Sequence, residues 1–330
     1  MKALRLYGPL NLKLEEINEP NPLENWALIK TMYAGICGTD KAIYKGLYLL
    51  DKYPIILGHE VVGKVIDGPK NIIGSIVTCE INFPCNKCQV CRMGLYIHCP
   101  YRKTLGINFD GGMAEYFIAP INSIHSINNL KQPFYGVFIE PIAAILNAFE
   151  QCPIKPSMKI AIIGSGNIAL LAAQILKLIG INEITVITHR DSPKQKYFEN
   201  LNVNIIYTDN VMDYVEKRTF MGLGFDYTFE ATGSNDGLNL AVKITRPRGI
   251  IHIKSTPGGK ALFNQTLAVV KELRIIGSRC GTFREFKLAI QLLKNELVKP
   301  IISSIMNLSD GEKAFKRALN REQIKVILKT

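Results

Sequence analysis

The chain has 330 residues, 47% of them apolar, and a formal charge of +12 from 40 basic and 28 acidic side chains. At about 150 residues per domain that length predicts two domains, each burying a core large enough to need no disulfide framework. No apolar run reaches the roughly 18 to 20 residues of a membrane span, the opening MKALRLYGPL reads as no secretory leader, and the basic residues form neither a run nor an aromatic RNA-binding signature, so a cytoplasmic protein without membrane or nucleic-acid partners is expected.

Before residue 150 the pattern is one of short alternating strands separated by turns: LNLKLEEI, WALIKTMYAGIC, VVGKVI, SIVTCEI and MAEYFIAP. This predicts a compact β-rich domain. Within it lie GICGTD, with Cys37 and Thr39, LGHEVVG, with His59 and Glu60, and FIEPIAA, with Glu140. One cysteine, one histidine and one carboxylate make the donor set of a catalytic zinc with its fourth position open. Taken singly, each also reads as a buried thiol, a core histidine or a surface acid.

The stretch CNKCQVCRMGLYIHC places Cys85, Cys88, Cys91 and Cys99 at intervals of three, three and eight residues. Disulfide frameworks belong to small secreted chains, and a redox CxxC pair uses only two thiols. Four thiolates complete the tetrahedral shell of a structural zinc, and a closed shell does no catalysis. Cys79, Cys152 and Cys280 have no ligand spacing and read as buried thiols. His98 stands beside a shell already full, and His125 and His252 read as ordinary polar residues.

From Met158 the sequence MKIAIIGSGNIALLAAQILKLIGINEITVITHR predicts a βαβ unit: a strand at Ile160 to Ile163, a helix stopped at Gly180, and a strand at Ile184 to Thr188. Its turn holds Gly164, Gly166 and Ala169 in the spacing that lets backbone approach a pyrophosphate at a helix N-terminus. Further strand-like runs at VNIIY, FDYTFEATG, GIIHIKS and LRIIGS bring the count to six, a full dinucleotide-binding sheet. The chain closes with a helix in LSDGEKAFKRALN and a strand in IKVILK.

The intact GHExxG signature (Gly58, His59, Glu60, Gly63), the CGTD element, the four-cysteine lobe, FDGGMAEYFIAP and the dinucleotide unit follow in one order. In these the whole chain closely resembles the zinc-dependent medium-chain alcohol and polyol dehydrogenases. The resemblance implies an α/β fold: a discontinuous GroES-like β-rich catalytic domain at 1–145 and 283–330, and a Rossmann domain with a doubly wound parallel sheet at 146–282. It implies an oxidoreductase moving a hydride between an alcohol, polyol or sugar hydroxyl and a nicotinamide cofactor. Two zinc ions per chain, one catalytic and one structural, and a homo-oligomer (dimer or tetramer) are implied as well.

Carried over by position, Cys37 and His59 are catalytic zinc ligands and Thr39 is the hydroxyl that takes the substrate proton. Glu140, in its EP setting, resembles the sorbitol and glucose dehydrogenase branch, where a carboxylate replaces a third-ligand cysteine. Glu60 in that branch ligates directly or alternates with water, so both glutamates join the ligand set. Tyr44, residues 107–110 and the GSRCG segment are candidates for the substrate pocket.

Cofactor contacts are expected from Gly164, Ser165, Gly166, Asn167, Ile168 and Thr232. At the end of the second strand, Thr188, His189 and Arg190 supply no acid for a ribose 2′-hydroxyl but do supply a guanidinium for a 2′-phosphate, so NADP is preferred and NAD is the alternative. Asp191 could reach the ribose through a loop shift. Two departures stand out: Ala42 occupies the usual position of a relay histidine, and Gly74-Ser75 replaces the usual GD. Threonine and simple secondary-alcohol dehydrogenases share every motif quoted. A non-catalytic zinc-stabilised binding protein is the reading from another class, and it should have lost Cys37, Thr39 or His59.

Overall fold

The ten-residue strand Trp26–Gly35 is the spine of the first of two units. In the computed structural model, which describes residues 1–330, that unit comprises 1–144 and 280–330, and the second comprises 145–279. Trp26–Gly35 pairs antiparallel with Glu60–Asp67 on one side and Val326–Lys329 on the other, while Tyr116–Pro120 pairs with its first half. Ile76–Cys79 and Ile124–Ser126 extend one flank and Ser304–Asn307 the other, giving seven strands. A separate three-stranded sheet sets Lys2–Leu6 between Leu12–Glu16 and Ile55–Ile56.

Alternation along these strands turns Ile29, Val61, Val65, Val77, Phe117 and Leu328 into one apolar core, which Phe315 of the helix Gly311–Ala318 completes. The register places Gly35 directly between Glu60 and Ile327. Glycine is required there, because a Cβ on Gly35 would lie 2.3 Å from Glu60 Oε2. The central strand thereby leaves room for a buried carboxylate.

The second unit is a six-stranded parallel sheet in the order Asn204–Tyr207, Ile184–Thr188, Ile160–Ile163, Phe225–Glu230, Thr245–Ile253, Arg274–Gly277. Strands fully buried on both faces are near-continuous apolar runs, as IAII and ITVIT are here. The order reverses at Ile160–Ile163, the first strand in sequence, and such a switch point opens a crevice at the carboxyl ends of the strands. Gly164 leaves that strand at φ +118° and the helix Asn167–Leu178 begins after Gly166. No helix in the chain is long and apolar enough to cross a membrane.

Candidate active site and metal centres

The four lobe cysteines converge. Cys88 precedes the helical turn Gln89–Arg92, Cys91 lies within it, and Cys99 ends the short 3-10 turn Tyr96–His98. Their Sγ atoms lie within 4.8 Å of one another, with 3.5 Å between Cys88 and Cys91 and 3.6 Å between Cys85 and Cys99. The Lys87 backbone N–H, and then that of Cys88, favour a Cys85 thiolate and bring its pKa down to about 6. Burial and the neighbouring thiols push Cys91 up to about 12. Thiols so close cannot all ionise unaided, and a tetrahedral zinc is the cation that four such donors fit.

Cys37 stands at the N-terminus of the helix Gly38–Tyr44, and its backbone N–H donates to Asp40 Oδ2 at 2.8 Å in a capping box. The other oxygen of Asp40 lies 3.5 Å from His59 Nδ1, beyond hydrogen-bond reach, so both atoms are buried without a partner. The Cys37 side chain is near enough to favour the protonated form of His59. Burial works against an imidazolium, but Asp40, Cys37 and Glu140 outweigh it and hold His59 well above its usual range. Buried His59 and Glu140 and half-buried Cys37 offer the imidazole, carboxylate and thiolate donors a zinc takes, although only the lobe thiols already converge within 4.8 Å of one another. Thr39 is half-buried in the first turn of the same helix.

Glu60 is differently engaged. Lys325 Nζ donates to both of its carboxylate oxygens, at 2.7 and 2.5 Å, and neither side chain exceeds 3% exposure. Burial opposes the ammonium, yet Glu60 and then Cys37 keep Lys325 above its usual range.

In the second unit a Cβ on Gly164 would lie 2.7 Å from the Ala231 carbonyl oxygen, whereas one on Gly166 would meet nothing within 4 Å. Open space over Gly166 at a helix N-terminus fits a pyrophosphate. Asn167 Oδ1 is buried there without a partner, and Ile168 follows half-buried. Thr188 faces inward: its hydroxyl donates to Ser165 Oγ at 3.0 Å, and Ser165 Oγ lies 2.9 Å from Ser192 Oγ. Thr232 donates to Glu230 Oε1 from its N–H at 2.8 Å and its hydroxyl at 2.5 Å. His189 and Arg190 are exposed, and Arg190 is paired with Asp209 at 3.0 Å.

Asp40, Lys325 and Asp209 are the participants that reading the sequence left without a role. Asp40 had a signal, its place three residues after Cys37 in a capping box. Of the remaining histidines, His125 Nε2 lies 3.1 Å from Glu80 Oε1 with its ring stacked on Phe286, and His252 Nε2 bonds Ser278 Oγ at 2.8 Å.

Two family profiles match the chain: the alcohol dehydrogenase GroES-like domain over residues 23–129 and the zinc-binding dehydrogenase domain over 168–295. The chain belongs to the zinc-dependent medium-chain alcohol and polyol dehydrogenase family, and it is an enzyme, a dehydrogenase. It is 28% identical to a sorbitol dehydrogenase of Halalkalibacterium halodurans, covering 99% of both chains. It is likewise 28% identical to a D-arabitol-phosphate dehydrogenase of Enterococcus avium, covering 96% of this chain and 93% of that one. Among solved structures, a zinc-binding dehydrogenase from Sinorhizobium meliloti bound to NADP superimposes with a TM-score of 0.87 at 25% identity, over 100% of this chain and 99% of that one.

Proposed function

We propose that the protein oxidises a secondary hydroxyl of a polyol or sugar, or reduces the matching carbonyl, using a nicotinamide cofactor with NADP preferred. The observation that carries this reading is that one helix end brings Cys37 and Asp40 together, with Asp40 Oδ1 3.5 Å from Nδ1 of the buried His59. Cys37, His59 and Glu140 would hold the catalytic zinc, Glu60 stands next to them, and Cys85, Cys88, Cys91 and Cys99 would hold the structural one. A bound zinc supplies Lewis-acid stabilisation of the reacting oxygen, on the order of 12 kcal/mol for a shift of roughly nine pKa units, and a bound nicotinamide supplies the carbon that exchanges hydride.

The chain's own groups do the rest. Asp40, with one oxygen 3.5 Å from His59 Nδ1, would orient the imidazole on closing that gap into a hydrogen bond. The Thr39 hydroxyl takes the substrate proton and passes it outward, and because Ala42 cannot accept it, water completes the exit. Gly164 to Ile168 would hold the pyrophosphate and Arg190 would pair with the 2′-phosphate. The polyol assignment follows the Glu140 setting and the named activities of the sorbitol and D-arabitol-phosphate relatives.

The test is a matrix of steady-state rates for alditols, aldoses, threonine and simple alcohols with NAD and NADP. A kcat/KM for at least one polyol or sugar that exceeds those for ethanol, 2-propanol and threonine by about tenfold or more is expected. Comparable values across the set would reject the substrate class.

A further inference from the structure

The end of Ile184–Thr188 lacks an acid, yet one stands beside it. Thr188 and Tyr207 are partners in parallel register, and Thr208 N–H donates to Thr188 O at 3.0 Å, so the neighbouring strand delivers residues 207–209 next to His189 and Arg190. Thr208 Oγ1 lies 3.4 Å from His189 Nδ1, which ties the two strand ends together.

Arg190 is held at three points. Its Nε and Nη2 both donate to Asp209 Oδ2, at 3.1 and 3.0 Å, and its Cζ lies 4.4 Å from the centre of the Tyr207 ring. The aromatic face sets the plane of the guanidinium, and the carboxylate sets its direction. Both partners of the ion pair are more than half exposed, at 61% and 57%, so a ligand can reach them and water screens the bond between them.

We propose that Asp209 is a specificity-determining residue for the cofactor, opposing Arg190, so that the site keeps NAD within reach while preferring NADP. The inference rests on the reading of Arg190 as the partner of the 2′-phosphate. Against a 2′-phosphate, Asp209 occupies one edge of the guanidinium and adds a negative charge beside a dianion. Toward a 2′-hydroxyl, the same carboxylate accepts a hydrogen bond, as an acid at the end of Ile184–Thr188 would. Asp209→Asn removes the charge and keeps the shape, and its amide oxygen can still accept from Arg190.

The experiment titrates NADPH and NADH, by their own fluorescence, into the full-length zinc-loaded protein and its Asp209→Asn, Arg190→Ala and double variants. Asp209→Asn is expected to tighten NADPH roughly 5- to 10-fold and to weaken NADH about 3-fold. Arg190→Ala is expected to weaken NADPH about 10- to 100-fold and to change NADH little. In the double variant, at least half of the gain from Asp209→Asn should vanish. If Asp209→Asn moves NADPH by less than twofold or weakens it while Arg190→Ala keeps its selective loss, the role of Asp209 is overturned and the NADP reading stands. If Arg190→Ala weakens both cofactors equally, both are overturned.

Discussion

Lys325 and Glu60, 265 positions apart in the chain, form a fully buried ion pair in which one ammonium serves both carboxylate oxygens. Removing one member of such a pair leaves an uncompensated charge, which costs about 3 to 5 kcal/mol. Lys325→Met should therefore lose that much stability in urea unfolding. The double variant Glu60→Gln/Lys325→Met should recover most of it. A loss below about 1 kcal/mol in the single variant would mean that Glu60 finds another partner.

The two cysteine sites should separate in metal analysis. Structural zinc contributes roughly 10 to 16 kcal/mol of apparent binding energy in small zinc-finger peptides, so Cys88→Ser should lower the Tm and reduce zinc from two per chain to one. Cys37→Ser should abolish turnover with the circular dichroism spectrum and the lobe zinc intact. Glu140→Ala should reduce turnover and zinc retention more than it reduces cofactor affinity. Fully active protein carrying fewer than two zinc ions would contradict the assignment.

Gly164 and Gly166 should respond differently to the same methyl group. At Gly164, φ is +118° and a Cβ meets the Ala231 carbonyl oxygen at 2.7 Å, so Gly164→Ala is expected to cost about 1 to 3 kcal/mol of stability. Gly166 has an ordinary φ of −79° and open space, so Gly166→Ala should melt within a few degrees of wild type. Its NADPH affinity should nonetheless fall about tenfold or more, because the methyl occupies the phosphate approach. Unchanged affinity in Gly166→Ala would move the pyrophosphate elsewhere.

His252 should make the protein acid-sensitive. Its side chain is fully buried, and burial first, with Lys254 second, pushes its pKa from 6.5 down to about 4. Above pH 6.5 the residue is neutral in both states. As the pH falls from 6.5 to about 4 the unfolded chain takes up a proton that the folded chain refuses, so stability drops by on the order of 3 kcal/mol and then levels. Unfolding curves across that window should be flatter for His252→Gln than for wild type. Identical slopes would refute the contribution.

The six parallel strands were readable because each is an apolar run bounded by glycine or polar turns, and the four-cysteine lobe because its ligands lie within fifteen consecutive residues. Cys37 and His59 could be joined only through a family resemblance, since nothing local links a helix cap to a residue just before a strand. Lys325 was not readable at all. Its role depends on Val326–Lys329 pairing with the end of Trp26–Gly35, and register between distant strands leaves no local periodicity. Asp209 was missed for the same reason, since it is brought to Arg190 by the pairing of Thr188 with Tyr207. The strands Lys2–Leu6 and Ser304–Asn307 went unread because four or five residues hold too few alternations to stand out.

The return of the last residues to the first sheet has a consequence for biosynthesis. Domains generally fold in the order in which they leave the ribosome, N-terminal first. Here the unit that contains the first residue also contains the last, and Val326–Lys329 completes the ladder beside Tyr33, Ala34 and Gly35. Residues 145–279 can fold while translation continues. The Glu60 carboxylate must wait, solvated and without its ammonium partner, until Lys325 has been synthesised and has left the ribosome. The nascent chain can therefore acquire its dinucleotide fold before the sheet beside Glu60 closes, and a chain lacking residues 325–330 would have neither the strand nor the ammonium that close it.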